Sequence, residues 1–372
     1  MSRGRSIEHR FLVCRPFRDP VPWRPLTSTD ETGHDVVYIG RALAAAVELL
    51  GDCTPLTFVL TWNLHELPET GRHVVAIVQG DEDAQIPRWS NDVLVTFKCY
   101  GTCPHWMPLL PRPGVVEALE LLHFLRRVVL WLPGGWSRAW RSGQPWRGRP
   151  PIFPIPLGFY NQDDRPLISF GERLWSVSFA GSGLEPIPSR RWRARLGTPK
   201  ERARAQMHEA LSRLARTMPD EPIAAVSQPV FPNLYPGQDS AARQLTSSYS
   251  DLLAQTRLCL VPRGNSPETF RFFEALRAGC IPICDSLPDH WFYRGAPVVS
   301  VRRWNELSSV LAPLLADPVA TEQLHRASVE WWQSRCSEEA VGRYMADRIS
   351  SQLHHLQSPA RAKGGVVVDH VG

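Results

Sequence analysis

Residues 258–284, LCLVPRGNSPETFRFFEALRAGCIPIC, hold a strand, a turn, a helix and a second strand in that order. Leu258, Leu260 and Val261 form a short β-prone run, which Pro262–Gly264 interrupts. Ser266 suits an N-cap with Pro267 at the first helical position. The pattern predicts a helix from Pro267 to about Ala278, ended by Gly279 at C′, with Ile281–Cys284 as the next strand. Such a parallel unit aims a helix N-terminus and a glycine-bearing turn at whatever lies above the sheet. Arg271 and Glu274 are three apart and share one helix face. The guanidinium suits phosphate oxygens and the carboxylate suits ribose hydroxyls, which together point to a nucleoside diphosphate. An exposed helix ion pair is the plainer alternative. The accompanying turn, cap and second strand favour a site.

The same residues resemble a family. Pro262-Arg263-Gly264, then Thr269-Phe270-Arg271-Phe272-Phe273-Glu274-Ala275-Leu276, then Ala278-Gly279-Cys280-Ile281-Pro282 are similar to the C-terminal signature of exostosin-type glycosyltransferases. Ala296-Pro297-Val298-Val299 and Trp304-Asn305-Glu306-Leu307 are closer to ribitol-xylosyltransferase-like members. The close match covers residues 249–307, with weaker similarity back to residue 74. The resemblance implies a GT-B fold and a nucleotide-sugar donor, usually UDP-linked. It also implies inversion at the anomeric carbon and no obligatory metal or other cofactor. Exostosins carry an Asp-rich segment ending Leu-Pro-Phe after the second strand. Here Asp285-Ser286-Leu287-Pro288-Asp289-His290-Trp291 stands instead, so the resemblance implies no particular sugar.

The chain has 372 residues, enough for two ordinary domains, and its 43% hydrophobic content supports real cores. The net charge of +5 is carried by arginine, since Lys98, Lys200 and Lys363 are the lysines. That mild basicity fits an anionic donor. No basic stripe interleaved with aromatics argues for nucleic acid. MSRGRSIEHRFLVCRPF lacks a signal peptide's apolar core, and Glu117, Glu120, Arg126 and Arg127 break the most apolar helical stretch. The expectation is a cytoplasmic protein with no transmembrane segment. The eight cysteines form no framework, and Cys99, Cys103 and His105 lack a fourth zinc ligand.

Alternating strands and helices predict two Rossmann-like, doubly wound parallel-sheet domains facing across a cleft. Residues 1–33 read as a loosely ordered arm, and 34–160 as the acceptor-binding domain. Its strands are expected at Val36–Ile39, Leu56–Thr61, Val74–Val78, Val93–Phe97 and Val128–Leu132, with helices at Arg41–Leu50 and Glu117–Arg127. Proline-rich Pro151–Phe159 reads as an extended linker. Residues 161–336 form the nucleotide-sugar domain, 337–357 a helix with an apolar stripe able to cross back to the first domain, and 358–372 a disordered tail.

Glycosyl transfer needs held phosphates, a base and exclusion of water. Gly181 and Ser182 end the first strand of the second domain, where backbone N–H groups would meet the diphosphate. Arg263 and Arg271, with Arg204 as a third, would counter the leaving group's charge; Gly264 lets the turn approach. Ser266 and Thr269 offer hydroxyls, Glu274 is the ribose candidate, and Asp285 is placed to reach sugar hydroxyls. The acceptor is an unspecified hydroxyl. Its base is expected in the first domain: Glu82 or Asp81 after Val74–Val78, or His65 or Glu66 after Leu56–Thr61. Two rivals remain open. Asp81-Glu82-Asp83 has the D-x-D form of a metal-dependent GT-A enzyme, with Asp81 and Asp83 as oxygen ligands. The chain could equally be an inactive scaffold that binds a nucleotide sugar.

Overall fold

The computed structural model describes residues 8–26, 36–51, 54–103, 105, 118–119, 121–129, 151–181, 197–227, 240–285 and 287–357. They form two α/β units, each built on a parallel sheet, which is the arrangement the GT-B resemblance implies.

The first sheet has the order β2-β1-β3-β4-β5-β6. Its strands are β1 (Arg10–Cys14), β2 (Val21–Pro22), β3 (Thr57–Thr61), β4 (Gly71–Val78), β5 (Val93–Lys98) and β6 (Ile152–Pro154), with α1 (Val37–Leu50) packed on it. Only β2 is antiparallel. Near-continuous apolar runs such as TFVLT and VLVTFK are what a sheet buried on both faces requires.

Four expectations change here. Arg10–Cys14, read as part of a loose arm, pairs in parallel with β3 along its whole length, and Phe11 stacks on Phe58 at 5.1 Å. A four-residue apolar run, Phe11–Cys14, was masked by its Arg- and Pro-rich flanks. Val36–Ile39, read as a strand, forms the entry to α1, because Tyr38, Ile39, Ala42, Leu43 and Ala46 are buried at helical spacing. The start of the expected linker is strand β6, tolerated despite its proline because it lies at the sheet edge. Residues 121–129 are helical, so Val128 and Val129 continue that helix, and 130–132 lie outside the described residues. So does the expected tail, 358–372.

The second sheet has the order β11-β10-β9-β7-β8 and is parallel throughout. Its elements are β7 (Trp175–Gly181), α2 (Pro199–Thr217), β8 (Ile223–Ser227), α3 (Ser240–Ala254), β9 (Thr256–Val261), α4 (Phe270–Arg277), β10 (Ile281–Cys284) and β11 (Val299–Ser300). Helices α5 (Leu307–Ala316), α6 (Pro318–Trp331) and α7 (Glu338–Gln357) follow. α7 lies against α1: a Cβ on Gly342 would sit 2.7 Å from the Ala42 carbonyl oxygen, so glycine permits the close approach. Arg41 pairs with Glu338 at 3.3 Å across the same contact.

One apolar core links the units. It runs from α1 and β5 through Ile155, Leu157 and Phe159 to Phe272 and Phe273 of α4 and Met345 and Ile349 of α7. Trp291, after β10, donates to the Pro154 carbonyl at 2.9 Å and stacks on Tyr344 at 4.5 Å. Loops at the C-terminal ends of β4 and β5 therefore meet those following β9 and β10 along a seam. Open α/β sheets place their sites at these ends.

Candidate functional site

The donor side of the seam begins where β7 ends. Arg271, in the first turn of α4, is only 5% exposed. Its guanidinium lies 4.7 Å from the Phe179 ring centre. Any Cβ on Gly181 would collide with that guanidinium. Glycine thus lets a buried cation approach the end of the strand. Arg271 Nε and the hydroxyl of Thr269, both buried, have no hydrogen-bond partner among the described residues. Buried donors are rarely left so, and each such case calls for an explanation.

A second helix turns cations toward the same place. α2 is started by a capping box in which Thr198 Oγ1 accepts from the Glu201 N–H at 3.2 Å and Glu201 accepts from the Thr198 N–H at 2.6 Å. This fixes the first turns, so Lys200 and Arg204 share a face. Burial, then the Arg271 charge, pushes the buried Arg204 down to about 10. Lys200 is lowered by burial, then by Arg204 and Arg271, while Glu82 across the seam acts in the opposite sense. Arg204 and Lys200, both lowered in part by neighbouring cations, mark a place that an anion would relieve. Ser182 lies outside the described residues.

The turn after β9 is built differently from the expectation. The helix starts at Phe270, three residues later than Pro267, with Thr269 as its cap residue. Ser266 does not cap it. Its hydroxyl accepts from the Glu268 N–H at 3.4 Å, a local turn that delays the helix. Asp285, expected to reach a sugar, accepts from the Arg263 N–H at 3.0 Å and so holds the Pro262–Gly264 turn to β10. Arg263 donates to the Asn265 carbonyl at 3.3 Å. A Cβ on Gly264 would lie 3.3 Å from the Ser266 carbonyl oxygen, a tight fit that keeps the turn compact.

Glu274 changes role most. It accepts the N–H groups of Tyr160 and Asn161, both at 3.1 Å, and the Tyr249 hydroxyl at 2.7 Å. This residue of α4 therefore faces the chain crossing between the units. Its carboxylate ties α4 to that crossing and to Tyr249.

On the acceptor side, the carboxylates of 81–83 divide. Asp81 pairs with the fully buried Lys98 at 2.9 Å and accepts the N–H groups of Asp83 at 3.2 Å and Gln85 at 2.7 Å. It is a turn-former that neutralises a buried lysine. Asp83 faces Arg127 at 3.6 Å. Glu82 carries no ion pair among the described residues, is half-buried, and is felt by Lys200 and by Tyr100. Tyr100, which follows β5, holds a left-handed φ of 62°. Non-glycine residues seldom adopt this conformation, and when they do they often lie at functional sites. Burial and then Glu82 raise its phenol well above the usual value. His65 and Glu66 are exposed, their N–H groups bound to Asn63 Oδ1 at 2.9 and 3.2 Å in a turn after β3. The structure does not bring them to the cations.

Sequence reasoning missed Lys200 and Glu268. Lys200 was legible as the residue four before Arg204 on the same helix. Glu268 had no periodicity to betray it: its side chain is 1% exposed, 3.5 Å from His290 Nε2, and it accepts the Tyr293 hydroxyl at 3.3 Å. The His290 ring in turn packs 2.6 Å from where a Cβ on Gly101 would lie, across the seam.

Fold and site thus define a class: a two-sheet parallel α/β protein with a cation-lined cradle at strand C-terminal ends. Residues 137–311 match the family model described as the Exostosin GT47 domain. Through this segment the chain is similar to exostosin-type glycosyltransferases. It is 42% identical over 64 residues to the exostosin-1 homolog of Caenorhabditis elegans, covering 17% of this chain and 15% of that one. It is 57% identical over 35 residues to exostosin-1 of Drosophila melanogaster, covering 9% and 5%. The matched stretch is thus a small part of these curated relatives' length. Among solved structures, WaaG, a glycosyltransferase involved in lipopolysaccharide biosynthesis, aligns at TM-score 0.41 and 12% identity, covering 86% of this chain and 96% of WaaG. The pneumococcal O-GlcNAc transferase GtfA in complex with UDP and GlcNAc aligns at 0.39 and 11%, covering 80% and 57%.

Proposed function

We propose that the protein transfers a sugar from a nucleotide-linked donor, with UDP as the nucleotide, to an acceptor hydroxyl. The transfer proceeds with inversion and needs no obligatory metal. The observation that carries this reading is Arg271: a buried guanidinium lying against Gly181, its Nε without a partner, beside Lys200 and Arg204. An anionic diphosphate would satisfy the orphaned donors and neutralise the mutual repulsion. The match of residues 137–311 to the Exostosin GT47 domain supports a sugar nucleotide as its source.

In the proposed step, the acceptor hydroxyl gives its proton to Glu82 as its oxygen attacks the anomeric carbon. The bond from that carbon to the β-phosphate oxygen breaks, and its electron pair leaves on the nucleoside diphosphate. Arg271, Arg204 and Lys200 stabilise the negative charge that grows there, and a single displacement inverts the anomeric centre.

Thermal melts against a panel of nucleotides and nucleotide sugars in EDTA test this. A donor at a hundred times its Kd stabilises by about 2.7 kcal/mol. Stabilisation by no nucleotide would end the reading. Stabilisation only after Mn²⁺ is restored would contradict the metal-free form of it. Binding without turnover for any acceptor would favour the inactive scaffold.

A further inference from the structure

Arg127 lies on the helical stretch 121–129 and is 13% exposed. Its Nε is 3.6 Å from Asp83 Oδ1, on the loop after β4. Its Nη2 donates to the Asn265 carbonyl at 2.6 Å, on the turn after β9. That carbonyl also accepts from Arg263 at 3.3 Å. One planar group therefore joins the acceptor-side loop to the donor-side turn. We propose that Arg127 is a positioning residue that sets Glu82 against the donor cradle, a role that rests on the transferase reading above.

Glu82 stands between two anchored neighbours. Asp81 is fixed to β5 through Lys98 at 2.9 Å, and the Asp83 N–H donates back to Asp81 at 3.2 Å. The Arg127 ion pair restrains Asp83 from the side of the second unit. The Asn265 carbonyl belongs to the turn that Asp285 holds to β10, so the bridge ends on a rigid support. Arginine is suited to this: its flat fork reaches two acceptors in fixed directions, while a lysine ammonium holds one at a time. Misplacing a reacting group by about 1 Å costs on the order of 10²-fold in rate.

The test uses the full chain with Arg127→Ala, Arg127→Lys, Asp83→Ala and the double variant Asp83→Ala/Arg127→Ala. Arg127→Ala lowers kcat about 10- to 100-fold, while the Kd for nucleoside diphosphate stays within about twofold. Arg127→Lys restores only part of the rate. In the Asp83→Ala background, Arg127→Ala costs much less than it does alone, because the bridge is already cut. Amide hydrogen exchange in the Arg127→Ala protein is faster over both 79–85 and 262–266. Wild-type exchange in both segments would overturn the bridge whether or not the protein turns over. Additive rate effects, or a fall in diphosphate affinity as large as the fall in kcat, would overturn the positioning role. Failure of the wild type to bind any nucleoside diphosphate removes the transferase reading and with it that role, leaving the bridge itself to the exchange result.

Discussion

Replacing Arg271 with alanine separates function from stability. In the unliganded protein the side chain is buried at 5% exposure, its Nε is unpartnered, and Arg204 and Lys200 repel it. Leaving a buried donor unpaired costs about 1–3 kcal/mol, so Arg271→Ala removes that burden. It also loses the contact with Phe179 at 4.7 Å. A desolvated cation–π contact of that kind contributes roughly 0.5–2 kcal/mol. The two effects oppose each other, and the urea-unfolding free energy should change by less than about 1.5 kcal/mol. The transition state fares differently, because the leaving phosphate gains charge where the guanidinium is removed. Losing one such electrostatic donor costs about 2.7–4 kcal/mol, or 10²–10³-fold in kcat. The rise in donor KM should be smaller than the fall in kcat. The assay is release of nucleoside diphosphate at saturating donor, with urea melts of both proteins. Full kcat in Arg271→Ala, or a stability loss above about 3 kcal/mol, would show the residue to be idle or structural and not a phosphate-binding group.

Gly181→Ala should place a methyl group in the space of the Arg271 guanidinium, weakening nucleoside diphosphate binding by about tenfold or more, roughly 1.4 kcal/mol, with little change in melting temperature. Isothermal titration checks it. His105 is held down to about 4 by burial, Arg263 and His290, below its unfolded value of 6.5. The unfolded chain therefore binds the extra proton first, and stability should fall as pH drops from 6.5 towards 4. His105→Gln should flatten that part of a melting-temperature profile. Asp81→Ala should leave the Lys98 charge buried and unpaired, and urea melts should show a loss of about 3–5 kcal/mol. A metal ligand of the D-x-D kind would instead lose activity while staying folded.

Much of the architecture was legible because parallel sheets announce themselves as unbroken apolar runs. The runs at 57–61, 74–78, 93–98, 256–261 and 281–284 could be read directly. The misreadings have local causes. Arg10–Cys14 is short and hidden between Arg- and Pro-rich flanks, and Val36–Ile39 is four apolar residues whose helical period emerges only further along α1. At the site, Arg271 was legible from the strand–turn–helix–strand order. The partners of Glu274 were not, because Tyr160 and Asn161 lie more than a hundred residues earlier in the chain. The fates of Asp81 and Asp83 likewise depended on Lys98 and Arg127, which no spacing in the sequence connects to them.

In the proposed transferase, the cradle of Gly181, Arg271, Arg204 and Lys200 holds the diphosphate of a sugar nucleotide. This is tested most directly by calorimetric titration of UDP into the wild-type and Arg271→Ala proteins, both in EDTA. Saturable binding to the wild type, weakened at least about tenfold in the variant, is the predicted result. Equal affinity for the two proteins, or no binding to the wild type, would contradict it.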